Sequence, residues 1–190
     1  MAILSTPLDV RSRRGRADEP HVRSLNAYVR GLRCEHGPTP YFDPDGAGDR
    51  ATILLLMSDP GPRGAAVTLI ASIDNPDVTA SNLRELLAAA RVPRDTVAVW
   101  NIVPWCTPLV TAREIVAGAS ALDAVIPLLP QLRVVVAMGR SAQAGWAMIR
   151  PAHPRIRTVD TWHPAQRALI WPGRRAQVVR SLMQARRSSA

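Results

Sequence analysis

The chain has 190 residues, 47% of them hydrophobic and 21% charged, and a formal net charge of +9. That apolar content excludes a disordered chain, and the length suits one globular domain with a sizeable core. The positive field favours polyanions, and nucleic acid is the commonest soluble one; no apolar span of about 20 residues points to a membrane-crossing helix.

Residues 1–20 carry Arg11, Arg13, Arg14 and Arg16 among little apolar material and read as a flexible basic arm ahead of a domain over 21–190. Residues 21–33 place Val22, Leu25, Tyr28, Val29 and Leu32 at helical spacing. Residues 37–48 are rich in Pro, Gly and Asp and read as loop. A mostly apolar run at 51–57 predicts a strand buried on both faces. A helix follows at 79–91, with Thr79 as its N-cap. Residues 96–100 form a second strand, and 111–129 a long apolar helix kinked at Pro127. A third strand at 132–138 runs into Gly139 and a helix ending near 149. Residues 156–161 make a short fourth strand and 173–187 a basic final helix. The alternation predicts a single three-layer α/β/α domain around a four-stranded, mainly parallel sheet.

Every basic side chain is Arg. The guanidinium binds phosphate in bidentate fashion and stacks on bases, although GC-rich codon usage is the simpler source of the excess. Cys34 and Cys106 are the only cysteines, which excludes a four-cysteine zinc or iron–sulfur site within the chain. Both are expected to be small core residues. Residues 1–10 are too short and polar for a secretory segment. The expectation is a cytoplasmic monomer without metal or cofactor.

In a parallel sheet, ligands bind beyond the carboxyl ends of the strands. The four segments there are Ser58-Asp59-Pro60-Gly61-Pro62, Asn101-Ile102-Val103-Pro104-Trp105, Gly139-Arg140-Ser141 and Trp162-His163-Pro164. Their joint placement on one rim carries more weight than any single residue. Each has a plainer use: Asp59-Pro60-Gly61 as a turn, Asn101 as a local cap, His163 as a packed loop residue.

Met-Ser-Asp-Pro-Gly-Pro at 57–62 resembles motif A of the uracil-DNA glycosylases, a hybrid between Gly-Gln-Asp-Pro-Tyr and Gly-Glu-Ala-Pro-Gly. Trp-Asn-Ile-Val-Pro-Trp at 100–105 resembles their strand-end Asn motif, and Trp-His-Pro-Ala at 162–165 is similar to motif B. Ala-Met-Gly-Arg-Ser-Ala at 137–142 is similar to the family's glycine turn into a helix. The resemblance covers roughly residues 41–180.

It implies a DNA repair glycosylase that hydrolyses the N-glycosidic bond of uracil and leaves an abasic site. Asp59 would position water and balance the sugar cation, and His163 would donate to the departing base. Asn101 would read the uracil edge through both halves of its amide. Ser58, Pro60 and Gly61 would line the base site, with Phe42, or Tyr41, as the stacking aromatic. Arg140, Ser141 and Arg167 would contact DNA, single- or double-stranded, around a flipped nucleotide.

The family's Tyr after Asp-Pro is Gly61 here, which leaves discrimination against bulkier bases open. The iron–sulfur cysteines are missing, and no Lys is present to form a Schiff base, which favours monofunctional hydrolysis. Two alternatives remain: a non-catalytic nucleic-acid-binding member of the fold, or a glycosylase for another deaminated base such as hypoxanthine. A small-molecule nucleotide enzyme is a third class, without a Walker or Gly-x-Gly-x-x-Gly loop to support it.

Overall fold

A computed structural model describes residues 3–189. In chain order its elements are α1 (Pro7–Gly15), α2 (Pro20–His36), β1 (Tyr41–Phe42), β2 (Ile53–Met57), α3 (Ala65–Thr68), β3 (Ile70–Ala71) and α4 (Val78–Ala89). Then come β4 (Val97–Asn101), α5 (Ala112–Val125), β5 (Val134–Met138), α6 (Arg140–Ile149), β6 (Arg157–Thr161), α7 (Gln166–Leu169) and α8 (Arg174–Ser189). Four strands form an all-parallel sheet in the order β4-β2-β5-β6. A separate parallel pair joins β1 to β3.

Strand periodicity divides the apolar residues between two cores. Leu54, Leu56, Trp100, Val135 and Ala137 pack against α2, α5 and α6 on one face. Ile53, Leu55, Val99, Val136 and Val159 pack against α4 and α8 on the other. The central strand is therefore apolar at nearly every position, and each of its leucines contributes on the order of 2 kcal/mol of transfer free energy. The result is the three-layer α/β/α arrangement.

Several local expectations are corrected. Asp77, not Thr79, caps α4, accepting from the backbone N–H of Ala80 at 3.1 Å. The helix before Pro127 ends at Val125, and a 3-10 turn over Ile126–Leu128 absorbs the proline in place of a kink. Cys34 is exposed and Cys106 only half-buried, so neither is a core cysteine. Gly118 lets α5 lie against the carbonyl of Ile102, where a Cβ would stand 1.8 Å from that oxygen.

The largest correction concerns the N-terminal segment. Residues 1–2 lie outside the described residues, but α1 is a capped helix and not a free arm. Thr6 and Asp9 form a reciprocal capping box at its start. Arg13 is buried and lies 3.3, 2.8 and 2.7 Å from carboxylate oxygens of Asp43, Asp45 and Asp74. Arg94 reaches Asp43 and Asp74 at 3.0 and 2.8 Å, and Ser72 donates to Asp43. Burial pushes the Asp43 carboxyl up. Burial also pushes Asp74 up, but hydrogen bonds from Arg94 and Arg13 outweigh it and hold that group below the usual carboxylate range. The carboxylates that fix α1 lie 30 to 61 positions along the chain, so no local pattern announces them.

Candidate active site

The carboxyl ends of the four parallel strands converge on one rim. Register aligns Met57 with Asn101 and Met138 with Thr161. Beyond the strands the pairing continues: Ile102 donates to the Met57 carbonyl at 2.8 Å and Val103 to that of Ser58 at 2.9 Å. Gly139 donates to Thr161 at 2.9 Å, and Gln143 Nε2 donates to the same carbonyl at 3.0 Å. Gly139 takes φ +92°, and its Cα side faces His163, whose Cβ would be 3.1 Å from an added methyl.

Asp59, Gly61, Asn101 and His163 together line a pocket of about 70 Å³. Ser58 and Pro60 belong to the same loop without lining it. Ala71, Ser72, Asn75, Asp77 and Thr79 supply another wall. Ala71 ends β3, Ser72, Asn75 and Asp77 lie in the connection and Thr79 is in the first turn of α4; the sequence pattern marks the helix near Thr79 but gives Ser72 and Asp77 no role.

Asn101 is 3% exposed, and its Oδ1 is buried without a hydrogen-bond partner. A buried acceptor left unpaired costs about 1–3 kcal/mol unless water or a bound group meets it, and Arg33 Nη2, Trp100 Nε1 and Thr161 Oγ1 are in the same state among the described residues. His163 Nδ1 accepts from the backbone N–H of Ala165 at 3.0 Å. A backbone N–H can only donate, so the neutral ring carries its proton on Nε2. Burial lowers the His163 pKa, and the Arg167 guanidinium lowers it further, against the opposing pull of Asp59 and Asp77. The imidazole is thus held as a neutral donor. The site pairs a half-buried carboxylate with a neutral N–H donor and an unsatisfied amide.

The remaining residues are distributed differently. Phe42 does not line this pocket: it is buried, stacked on Trp100 with centroids 4.5 Å apart and planes 6° from parallel. It borders a separate cavity of about 20 Å³ behind Ala71 and Ser72. Core packing against Trp100 has claimed the ring, so it is unavailable as a base-stacking face. Tyr41 lies elsewhere, under the Arg33 guanidinium at 3.6 Å. No Phe, Tyr or Trp occurs among the described lining residues. Arg140 is exposed and Ser141 half-buried at the start of α6, beside Gly139. Arg167 is exposed on α7, with Ile170 and Trp171 exposed just beyond.

One further tie supports the His163 loop. Asn82 Nδ2 on α4 donates to the carbonyl of Pro164, and Arg175 on α8 donates to Asn82 Oδ1 at 3.1 Å. Among the described residues, no group of three or more His, Cys, Asp or Glu side chains is set to hold a metal.

Comparison with curated proteins returns no match. The family description of the uracil DNA glycosylase superfamily does match, over residues 44–185, which span all four motif segments. On that match over most of its length, the chain belongs to the uracil DNA glycosylase superfamily.

Proposed function

We propose that the protein is a monofunctional glycosylase that removes uracil from DNA. Family membership supports a glycosylase-like activity on DNA. The observation that carries the narrower reading is the buried, unpartnered Oδ1 of Asn101 in a pocket that Asp59 and His163 also line. An amide at that position can accept from N3–H and donate to O4 of uracil, whereas cytosine presents the opposite polarity.

Once the nucleotide is flipped out of the stack, the C1′–N1 bond breaks and its electron pair leaves with the base. The Nε2–H of His163 donates to O2, where the anionic charge grows; the bond strengthens as the reaction proceeds and so favours the transition state. The Asp59 carboxylate offsets the cationic sugar, orients a water toward C1′ and accepts its proton. The products are free base and an abasic sugar.

Gly61 supports a wider base range as a second reading. A Cβ there would meet nothing within 4 Å, so that corner of the pocket is open to bases larger than uracil, including hypoxanthine.

The test is base release from single- and double-stranded oligonucleotides carrying uracil, hypoxanthine or a mismatched thymine, read by alkaline cleavage. Uracil-dependent cleavage that falls on the order of 10²- to 10⁴-fold in Asp59→Asn, with DNA affinity kept, supports the mechanism. Cleavage of hypoxanthine substrates supports the wider range. DNA binding with no release from any substrate replaces both with a non-catalytic binding module.

A further inference from the structure

Helix α1 divides its arginines by direction. Arg13 is buried against Asp43, Asp45 and Asp74, and the C-cap residue Arg16, though exposed, is paired with Glu19 and Asp45. Arg11 and Arg14, three residues apart and so on one helical face, are exposed and have no carboxylate partner among the described residues. They border a groove of about 790 Å³ whose other wall includes Arg33, Tyr41, Val67 and Pro76.

The third guanidinium is also free of carboxylates. Arg33 donates from Nε to the Thr39 carbonyl at 2.7 Å and lies over the Tyr41 ring, while its Nη2 is buried without an acceptor, so Arg33 adds charge to the groove from beneath its surface. Burial and then the neighbouring charges of Arg14 and Arg30 lower its pKa. Three cations border one concavity whose described lining residues include no carboxylate.

The groove adjoins the base pocket. Thr68 lines the groove and Asn75 lines the pocket, and Thr68 Oγ1 donates to Asn75 Oδ1 at 2.7 Å. That bond ties a wall residue of the groove to a wall residue of the pocket.

We propose that the α1 groove binds the phosphodiester backbone of the substrate strand beside the nucleotide whose base enters the pocket. The proposal deepens the glycosylase reading and rests on it for the identity of the polyanion. Arg11, Arg14 and Arg33 supply charge, and Tyr41, Val67 and Pro76 supply apolar surface for sugars and unstacked bases, the combination that tracks single strands.

The experiment measures binding of a labelled, uracil-free single-stranded oligonucleotide by fluorescence anisotropy across a salt series. It compares wild type, Arg11→Ala/Arg14→Ala, Arg11→Gln/Arg14→Gln and the distant exposed control Arg155→Ala. Loss of two phosphate contacts on a single strand should reduce the slope of log K against log salt by about 1.4 in both double variants and leave the control unchanged. An unchanged slope and affinity in folded double variants, checked by circular dichroism, overturns the proposal. So does a defect seen only on vesicles of phosphatidylserine and phosphatidylcholine. Because the probe contains no uracil, failure of base release in the glycosylase assay leaves this result readable by itself.

Discussion

Asn82 donates from Nδ2 to the carbonyl of Pro164 at 2.9 Å, a bond that spans 82 positions and joins α4 to the loop carrying His163. The same amide receives Arg175, which also pairs with Glu85. Asn82 touches neither the proposed base nor the water, so it acts as a positioning residue. Asn82→Ala should lower kcat on the order of 10- to 100-fold with little change in KM, because small displacements of a reacting group are costly. The His163 imidazole resonances should shift in the same variant. Normal kcat with unmoved resonances would reduce the tie to a purely structural one.

Asn101 offers a separation of function from stability. Its buried Oδ1 already lacks a partner, so removing it in Asn101→Ala should leave the melting temperature within a few degrees of wild type or raise it. The same change should reduce uracil excision by about 100-fold or more, since a site built to hydrogen-bond a base edge discriminates strongly through that bond. A fall in stability without loss of excision would assign Asn101 to packing.

His163 should titrate below the ordinary histidine value of about 6.5, with burial as the main cause and Arg167 as the second. When the folded pKa is depressed, the unfolded chain binds the proton first as the solution is acidified. The contribution of His163 to stability is therefore level above about pH 6.5 and declines below it. Imidazole nitrogen NMR should find the Nε2–H tautomer at neutral pH, as the Ala165 bond to Nδ1 requires. A midpoint at or above 6.5, or a proton on Nδ1, would contradict the neutral-donor role.

The sheet is legible because β2, β4 and β5 are apolar on both faces and each strand is followed by turn residues and a helix, whereas the edge strand β6 is polar and half exposed. That logic placed Asp59, Asn101 and His163 on a common rim, and the structure brings them to one pocket. It could not place Phe42, since an aromatic beside a loop is equally suited to a ligand or to Trp100, and distant packing decides between them. The role of Asn82 is hidden for a similar reason: it lies in a recognisable helix, but its partner is a carbonyl 82 residues away, and carbonyls occur at every position. The β1–β3 pair is only two residues long in each strand, too short for an alternation to register.

Arg13 provides the sharpest contrast between reading residues 1–20 as a string of charges and seeing them packed. Composition treats Arg11, Arg13 and Arg14 alike, yet Arg13 is 7% exposed among three carboxylates. Removing one member of a buried ion cluster leaves the others desolvated without compensation. Arg13→Ala should therefore lower unfolding free energy in urea by about 3–5 kcal/mol, moderated by the share of the charge that Arg94 balances. Arg11→Ala, on the exposed face, should stay within about 0.5 kcal/mol of wild type. The pH dependence should differ as well. Asp74 is held below the usual carboxylate range, so its pairing stabilises the fold above that range and is lost as acid protonates it. In Arg13→Ala that acid-side decline should be shallower, because part of the interaction is already gone. Equal stabilities for Arg13→Ala and Arg11→Ala would return the segment to a loosely attached arm, and with it remove the anchor that aims Arg11 and Arg14 at the groove.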